Sequence, residues 1–126
     1  RLEMGNIMHE FTGVFRDESG LLESKRRIGL VRERYPQISV DDKGRIFNTD
    51  LVAALELDYM LDCAETIIAS CLARRESRGA HTRTDYPERD DKNWLKHVIV
   101  YRTHEGPKVD YLPVTITKWQ PELRQY

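Results

Sequence analysis

The sequence predicts a mainly α-helical domain, a three-helix bundle followed by an extended tail with a short β-hairpin. Apolar residues recur at three- and four-residue spacings in three segments of the first 73 residues, which is the period of an amphipathic helix. After residue 97 the pattern changes to β-branched and aromatic residues around a Gly-Pro turn, which is typical of strands. We therefore divide one domain, residues 1–126, into a helical bundle (1–79) and a charged segment with short strands and tail (80–126).

Two helices are predicted before Pro36. The first covers residues 2–16 and the second covers residues 20–35, and each places its apolar side chains on one face. Pro36 ends the second helix, because the residue before a proline avoids the α-helical region. The opposite face of the second helix is basic between residues 25 and 34. The apolar residues are Met4, Ile7, Met8, Phe11, Val14 and Phe15 in the first helix and Leu21, Ile28, Val31 and Tyr35 in the second.

A third, longer helix is predicted from Leu51 to about residue 73, with Asn48 or Thr49 as its N-cap. Residues 48–73 contain no Lys or Arg, so this acidic helix should lie beside the basic face of the second helix and pair with it. Its apolar face is wide enough to predict burial against two neighbours. Three such helices favour a spectrin-repeat-like bundle. The wide face comprises Val52, Leu55, Leu57, Tyr59, Leu61, Ala64, Ile67, Ile68 and Leu72.

Short strands are predicted in the last third of the chain. Residues 97–103 and 108–112 flank a turn at 104–107, and residues 114–117 follow Pro113. A two-stranded ribbon is only marginally stable when it stands alone. We therefore expect the hairpin to lie on the bundle or on a partner.

Composition and spacing exclude several classes of function. The net charge of −1 gives no general attraction to nucleic acid or to an anionic membrane, and no apolar run approaches the ~20 residues of a membrane span. Cys63 and Cys71 lie about 12 Å apart along a helix axis, so they cannot pair with each other. Neither has a Cys or His at zinc-ligand spacing. We predict no metal site, no nucleic-acid partner and no direct membrane insertion.

The most charged stretch, which we call the connector, is ARRESRGAHTRTDYPERDDKNWLKH, residues 73–97. It carries seven Lys/Arg, five Asp/Glu and two His. His81 follows Ser77 by four residues, but a serine near a histidine in a turn is common, and no oxyanion arrangement accompanies them. The near-equal mixture of charges favours a protein–protein or domain–domain surface, because such a surface uses charge to set register. Trp94 fits that interpretation, since aromatic residues and arginine are typical interface anchors.

The basic residues at the start of the connector also have a local explanation. Arg74, Arg75 and Arg78 follow the third helix, whose C-terminus carries the negative end of the helix dipole. We expect these cations to satisfy the last helical carbonyls, and Gly79 to end the helix in a left-handed conformation.

Taken as a whole, the connector resembles the C-terminal signature of succinate dehydrogenase and fumarate reductase flavoprotein subunits. In that family a helix runs into R-x-ESRG-x-H-x-R-x-D-x-P-x-RDD-x-NW/F-L-x-H. The segments GVFRDESGLLE (13–23), RERY (32–35) and FNTDLVAALEL (47–57) resemble the family as well. L-aspartate oxidases share the ESRG-x-H-x-R core, but the longer match through RDDKNWLKH and the strand-rich tail favours the first two enzymes. The matching positions are Arg74, Glu76, Ser77, Arg78, Gly79, His81, Arg83, Asp85, Pro87, Arg89, Asp90, Asp91, Asn93, Trp94, Leu95 and His97, with Pro121, Arg124 and Tyr126 at the end.

The resemblance implies that the chain is a piece of a longer flavoprotein. The parent enzyme of the family interconverts succinate and fumarate through FAD and passes electrons to an iron–sulfur subunit. The family holds FAD and substrate on segments upstream of the matched one, so no catalytic, cofactor-binding or metal-binding residue is carried onto this chain. The resemblance also implies a cytoplasmic location, peripheral to the inner face of the membrane through partner subunits.

The resembling domain packs against the flavin-binding body, so we expect the connector to dock on the flavin-binding and capping domains of the parent chain. The predicted docking residues are Arg74, Arg78, His81, Arg83, Asp85, Arg89 and Trp94.

Three alternatives remain at this point, and one of them is the C-terminal domain of an L-aspartate oxidase-like flavoprotein. The other two differ in function. The first is an independent helical module that binds nucleic acid or another anion through residues 25–34 or 74–89. The second is an activity of the chain itself through His81, for which we expect no turnover.

Overall fold

The computed structural model describes residues 1–122 and confirms the mainly α-helical prediction. No helix in this part of the chain is both long and apolar enough to cross a membrane. Arg124 and Tyr126, which belong to the resemblance, lie outside the described residues. The elements in chain order are α1 (Leu2–Phe11), β1 (Phe15–Arg16), α2 (Glu18–Arg34), a 3-10 turn (Tyr35–Gln37), α3 (Thr49–Ala73), β2 (Thr82–Arg83), α4 (Asp91–Trp94), β3 (Lys96–Thr103) and β4 (Gly106–Pro113).

The first helix is shorter than predicted and ends at Phe11. The chain turns at Thr12, whose buried hydroxyl lies 2.9 Å from the hydroxyl of Ser24 in α2. Phe15 and Arg16 then form β1, which pairs in parallel with β2. Because the partner strand lies far along the chain, the local helical period of the sequence gave no sign of this pairing.

The three long helices share one core. α2 packs against both α1 and α3, and the Asp17 side chain caps its N-terminus by accepting a 2.7 Å hydrogen bond from the Gly20 amide. Full burial of one large apolar side chain stabilises a fold by roughly 1.5–3 kcal/mol, so this core supplies most of the stability of the bundle. Its buried residues are Met4, Ile7, Ile28, Val31, Leu61, Ala64 and Ile68.

α3 begins at Thr49, two residues before the predicted start at Leu51. The Asn48 side chain accepts a 2.8 Å hydrogen bond from the Leu51 amide, which confirms the N-cap. α3 has two neighbours, α2 and the hairpin of β3 and β4. The predicted burial of the whole wide face is nevertheless wrong for residues 1–122. Four apolar residues of that face stay exposed, namely Val52, Leu55, Tyr59 and Ile67.

Arg32 confirms the predicted pairing of the basic and acidic helices. Its guanidinium lies 2.8 Å from Glu65 Oε1, 3.0 Å from Asp58 Oδ1 and 2.5 Å from Asp62 Oδ1. Arg102 of β3 lies 2.7 Å from the other oxygen of Asp62, so the hairpin joins the same cluster. The remaining arginines of the basic face also have acidic partners, which are Glu23 for Arg26 and Arg27 and Glu3 for Arg34.

The hairpin is longer than predicted and lies on α3, which confirms the expectation that it needs support. β3 and β4 pair antiparallel from Lys96 opposite Pro113 to Thr103 opposite Gly106. Residues 114–117, predicted as a strand, are irregular, because no third strand pairs with them in the described part of the chain.

We expect Leu61→Ala to lower the free energy of unfolding by about 3 kcal/mol, because Leu61 has no exposed surface and its truncation leaves a cavity in the core. Leu55→Ala, on the exposed face of the same helix, is the control and should cost less than about 1 kcal/mol. Urea denaturation measures both variants, and equal losses would contradict this assignment of the core.

Candidate functional site

The connector folds into a series of tight turns after α3 ends at Ala73. Arg78 and His81 exchange backbone hydrogen bonds of 2.9 and 3.1 Å, and Gly79 lies inside this turn with a φ of +60°. Gly79 is therefore the left-handed residue of a connector turn. The predicted left-handed stop of α3 at Gly79 is wrong, because Arg74 ends the helix in an extended conformation.

Arg83 is fully buried against the C-terminus of α3. Its Nη1 donates to the carbonyl oxygens of Cys71, at 2.8 Å, and Arg74, at 3.3 Å. Carbonyls in the last turn of a helix lack partners within the helix, and a cation at this end is attracted to the negative end of the helix dipole. The last carbonyls of α3 are therefore satisfied by Arg83, and the prediction that Arg74, Arg75 and Arg78 would satisfy them is wrong.

Asp85 pairs with Arg83 and continues the link to α2. Its two carboxylate oxygens lie 2.7 Å from Nε and 2.7 Å from Nη2 of Arg83, which is bidentate geometry. Asp85 Oδ2 also accepts a 3.0 Å hydrogen bond from the Glu18 amide in the first turn of α2. The hydrogen bonds from Arg83, helped by the Glu18 amide, lower the pKa of Asp85 to about 2. One ion pair thus joins the end of α3 to the start of α2.

Glu76 is a second fully buried charge. Arg74 and Arg78 both pair with its carboxylate, Arg78 through Nε at 2.8 Å and Nη2 at 3.0 Å, and the Asp90 amide donates to it at 2.8 Å. Burial acts to raise the pKa of Glu76, but the hydrogen bonds from Arg78, the Asp90 amide and Arg74 outweigh it, so the pKa is lowered. Glu76 therefore stays ionised at neutral pH and holds the two arginines in place.

Asp91 binds two arginines on the outer side of the same cluster. Its Oδ1 lies 2.8 Å from Arg89 Nε and 2.5 Å from Arg78 Nη2. These hydrogen bonds from Arg89 and Arg78 lower the pKa of Asp91. Arg89 Nη1 also donates at 2.6 Å to the carbonyl of Glu122, which attaches the tail to the connector.

His81 lies half-buried among arginines. Its Nδ1 is 3.3 Å from Nη1 of Arg16, and its Nε2 is 3.3 Å from the carbonyl oxygen of Arg74. A guanidinium can only donate and a carbonyl can only accept, so these contacts assign a neutral ring with its proton on Nε2. Burial, followed by the charges of Arg16, Arg74 and Arg83, lowers the pKa of His81 despite the hydrogen bond to the Arg74 carbonyl.

Ser77 holds the connector together and does not contact His81. Its hydroxyl lies 2.9 Å from the carbonyl oxygen of Tyr86 and 3.2 Å from that of Arg83, and it accepts a 2.9 Å hydrogen bond from the Arg83 amide. The nucleophile and base suggested by sequence spacing are therefore not brought together.

Trp94 fixes the connector to the hairpin. The Arg74 guanidinium lies 5.5 Å and the Lys96 ammonium 4.6 Å from the centre of its ring, within the range of cation–π attraction. Tyr111 of β4 makes an edge contact with the same ring at 5.9 Å. Arg74 also donates to the Trp94 carbonyl at 3.0 Å, so backbone and side chain are both held.

The structure brings the seven predicted docking residues into one neighbourhood, but it engages them within the chain. Arg83 and Asp85 pair with each other, while Arg74, Arg78 and Arg89 pair with Glu76 or Asp91, which the sequence did not single out for docking. Their docking on another protein body stays a prediction. No group of three or more His, Cys, Asp or Glu side chains in residues 1–122 could hold a metal ion.

Comparison with known proteins identifies the family. A family model described as "Fumarate reductase flavoprotein C-term" matches residues 1–126. The chain belongs to this family. The resemblance carried by the connector motif is thereby confirmed, and the match extends through the bundle, the hairpin and the tail.

Relatives of the family come from several bacteria. The chain is 46% identical over 127 residues to the fumarate reductase flavoprotein subunit of Haemophilus influenzae, with 100% of this chain and 21% of that protein covered. It is 45% identical over 125 residues to the succinate dehydrogenase flavoprotein subunit of Rickettsia bellii, with 98% and 21% covered. A solved E. coli quinol fumarate reductase shares the fold with a TM-score of 0.90 and 36% identity, covering 95% of this chain and 21% of that one. The chain thus spans about a fifth of the length of these family members.

We expect Arg83→Leu to lower the free energy of unfolding by about 3 kcal/mol, because it removes the buried cation that donates to the Cys71 and Arg74 carbonyls and pairs with the Asp85 carboxylate. Arg75→Leu removes an exposed arginine two residues after α3 and is the matched control, with little change expected. Thermal or urea unfolding compares the two, and similar losses in both variants would show that the Arg83 link is dispensable.

The neutral state of His81 predicts that the folded chain loses stability as the pH falls. Its pKa lies below the ordinary value of 6.5 in the folded chain, so the unfolded chain takes up a proton first as the pH falls. Stability contributed by His81 is therefore complete above about pH 6.5 and is lost as the pH drops below that value.

The matched variant is His81→Gln, whose amide can donate and accept but does not titrate. Unfolding measured between about pH 5 and 8 should show a smaller loss on acidification in this variant than in the unmodified chain. An unchanged slope, or an unmodified chain that gains stability on acidification, would contradict the assigned state of His81.

Proposed function

We propose that this chain serves as the C-terminal domain of an enzyme that interconverts succinate and fumarate through FAD and passes electrons to an iron–sulfur subunit. Membership of the family over the whole chain supports this, as do relatives named as fumarate reductase and succinate dehydrogenase flavoprotein subunits. In this proposal the domain is a structural part, and the chemistry belongs to the remaining four-fifths or so of the flavoprotein length.

We place FAD elsewhere in the flavoprotein, because the junction between β1 and α2 does not suit its phosphates. Dinucleotides are held where a strand leads through a glycine-rich turn into a helix, whose N-terminus faces the phosphates. The junction of this kind between β1 and α2 has Asp17 in place of glycines, and the carboxylates of Asp17 and Asp85 already accept from its amides. Two carboxylates at that helix end would repel a phosphate.

We propose that the connector presents a fixed surface to the flavin-binding and capping domains. The buried Arg83 and Glu76 hold its turns, while Arg78, Asp85 and Trp94 keep part of their side chains at the surface. Because every one of these charges already has a partner, docking would not require the desolvation of an unpaired ion, which is the main cost of a charged interface.

The observation that carries the docking proposal is Phe15. Its side chain is 74% exposed although it lies in β1, directly paired with Thr82 of the connector. Val14 beside it is exposed as well. Large apolar side chains on an ordered strand next to a polar, ion-paired rim are typical of an interface.

The partner subunits and the location follow from the same proposal. The relatives are named as subunits, and the E. coli neighbour is a quinol fumarate reductase, which supports assembly with other subunits in general. We propose an iron–sulfur subunit as the electron acceptor, and attachment on the cytoplasmic side, at the inner face of the membrane, through partner subunits.

The alternative of an anion-binding module finds less support. Arg26, Arg27, Arg32 and Arg34 of the basic face have acidic partners, so they are not free for phosphates. An L-aspartate oxidase-like parent is disfavoured because the resemblance to that group stops at the ESRG-x-H-x-R core, whereas the family match continues through the hairpin.

Phe15→Ser in the complete flavoprotein tests the docking proposal. If Phe15 is buried against the flavin-binding body, its loss removes roughly 1.5 kcal/mol of apolar burial and should lower the free energy of unfolding of the complete flavoprotein by about that amount. In the 126-residue chain the same change should leave the melting temperature almost unaffected, because the side chain already contacts water.

The control is Tyr101→Ser, an aromatic residue that is 52% exposed on β3, away from the connector. Thermal unfolding of the complete flavoprotein and succinate–fumarate turnover are measured on each variant. The docking proposal is wrong if Phe15→Ser destabilises the flavoprotein no more than the control does, or if it destabilises the 126-residue chain and the flavoprotein equally.

A further inference from the structure

A groove of about 570 Å³ lies between α1 and α3, and no connector residue lines it. It exists because α2 packs against both helices, while α1 and α3 leave a gap between them. Met8 lines the groove from α1, and Tyr59, Met60, Cys63 and Ile67 line it from α3.

The groove continues into a long apolar stripe. Tyr59, Cys63 and Ile67 lie one helical turn apart, and Val52 and Leu55 extend the same face toward the start of α3. At 1.5 Å per residue the stripe is about 22 Å long. Its apolar members are the ones that the sequence pattern marked for burial and that the structure leaves exposed. A continuous apolar surface of this length marks an interaction site.

Two further features fit a binding surface. The charged residues that line the groove, Arg1 and Glu56, pair with each other at 3.2 Å, so they do not oppose an apolar partner. Phe47, one residue before the N-cap of α3, is 95% exposed and has a φ of +52°. A left-handed backbone is strained for an aromatic residue, and such strain is found where a side chain is held out for contact.

The shape of the surface decides between possible occupants. A symmetric pair of copies would have to place this same open surface of each against the other, an alternative that concentration-dependent labelling distinguishes. A protruding element is needed, and the space between two helices suits an amphipathic third helix with apolar residues three and four apart. The relatives are almost five times as long as this chain, so the rest of such a polypeptide is long enough to contain this helix.

We propose that the groove between α1 and α3 receives an amphipathic helix from the remaining part of the same flavoprotein polypeptide. This inference rests on the proposed function in one respect, namely that the chain is one domain of a longer flavoprotein. It assigns a second contact surface, separate from the connector, and it makes the bundle a docking element on two sides.

The thiol of Cys63 is a native reporter of this contact. Cys63 is exposed in the groove, whereas Cys71 is buried in the core and serves as an internal control. A maleimide should label Cys63 rapidly in the 126-residue chain and at least ~10-fold more slowly in the complete flavoprotein, since burial limits access to a thiolate. Mass spectrometry of the peptides assigns each label.

A pair of variants in the complete flavoprotein identifies the surface. Ile67→Glu places a charge in the groove and should restore rapid labelling of Cys63. Leu22→Glu, at an apolar residue of similar exposure on α2 and outside the groove, should leave Cys63 protected.

Three results would overturn the inference: equal labelling of Cys63 in both contexts, protection in the 126-residue chain that grows with its concentration, or restored labelling in Leu22→Glu as well. The second result would mean that another copy of the chain fills the groove. Turnover of succinate in the same samples separates this inference from the proposed function. Protection without turnover supports the groove contact and contradicts the enzyme assignment, while turnover with full labelling contradicts the groove contact alone.

Discussion

The ion pair between Arg83 and Asp85 is the interaction on which the geometry of this domain depends. Arg83 donates to a carbonyl in the last turn of α3, so its positive charge lies at the negative end of that helix dipole. Asp85 accepts from the first amide of α2, so its negative charge lies at the positive end of the α2 dipole. The two residues are separated by a single residue in a tight turn, and the turn therefore sets the position of one helix end relative to the other. The pairing of β1 with β2 lies in the same place and depends on the same turn.

Glu76 and Asp91 are held by arginines in the same way, which bears on what the connector can do. General acid and base catalysis needs groups whose pKa lies near the working pH. The carboxylates of Glu76, Asp85 and Asp91 have lowered pKa values, because arginines donate to them, and they stay ionised throughout the neutral range. His81 is neutral, but both of its ring nitrogens already have partners. A cluster of this kind holds the connector in a fixed shape.

The sequence predicted the parts of the fold that depend on local periodicity. The order of the three long helices, the Asn48 cap and the pairing of Arg32 with the acidic helix follow from spacing and charge alone. The motif identified the connector as a candidate site. It did not predict which of the connector's side chains are buried, because nothing in the sequence distinguishes Arg83 from an exposed arginine. Its burial arises from the approach of α2 and α3, and the short strand at Phe15 arises from the same long-range contact.

The parallel pairing of Phe15 with Thr82 has a consequence for synthesis of the chain. β1 leaves the ribosome well before its partner strand, and at ~5–20 residues per second the 67 residues from Arg16 to Thr82 take about 3–13 s to be made. During that interval the helices can form, but the start of α2 and the end of α3 have no bridge between them. The nascent domain is therefore completed only when the arginine-rich turn emerges.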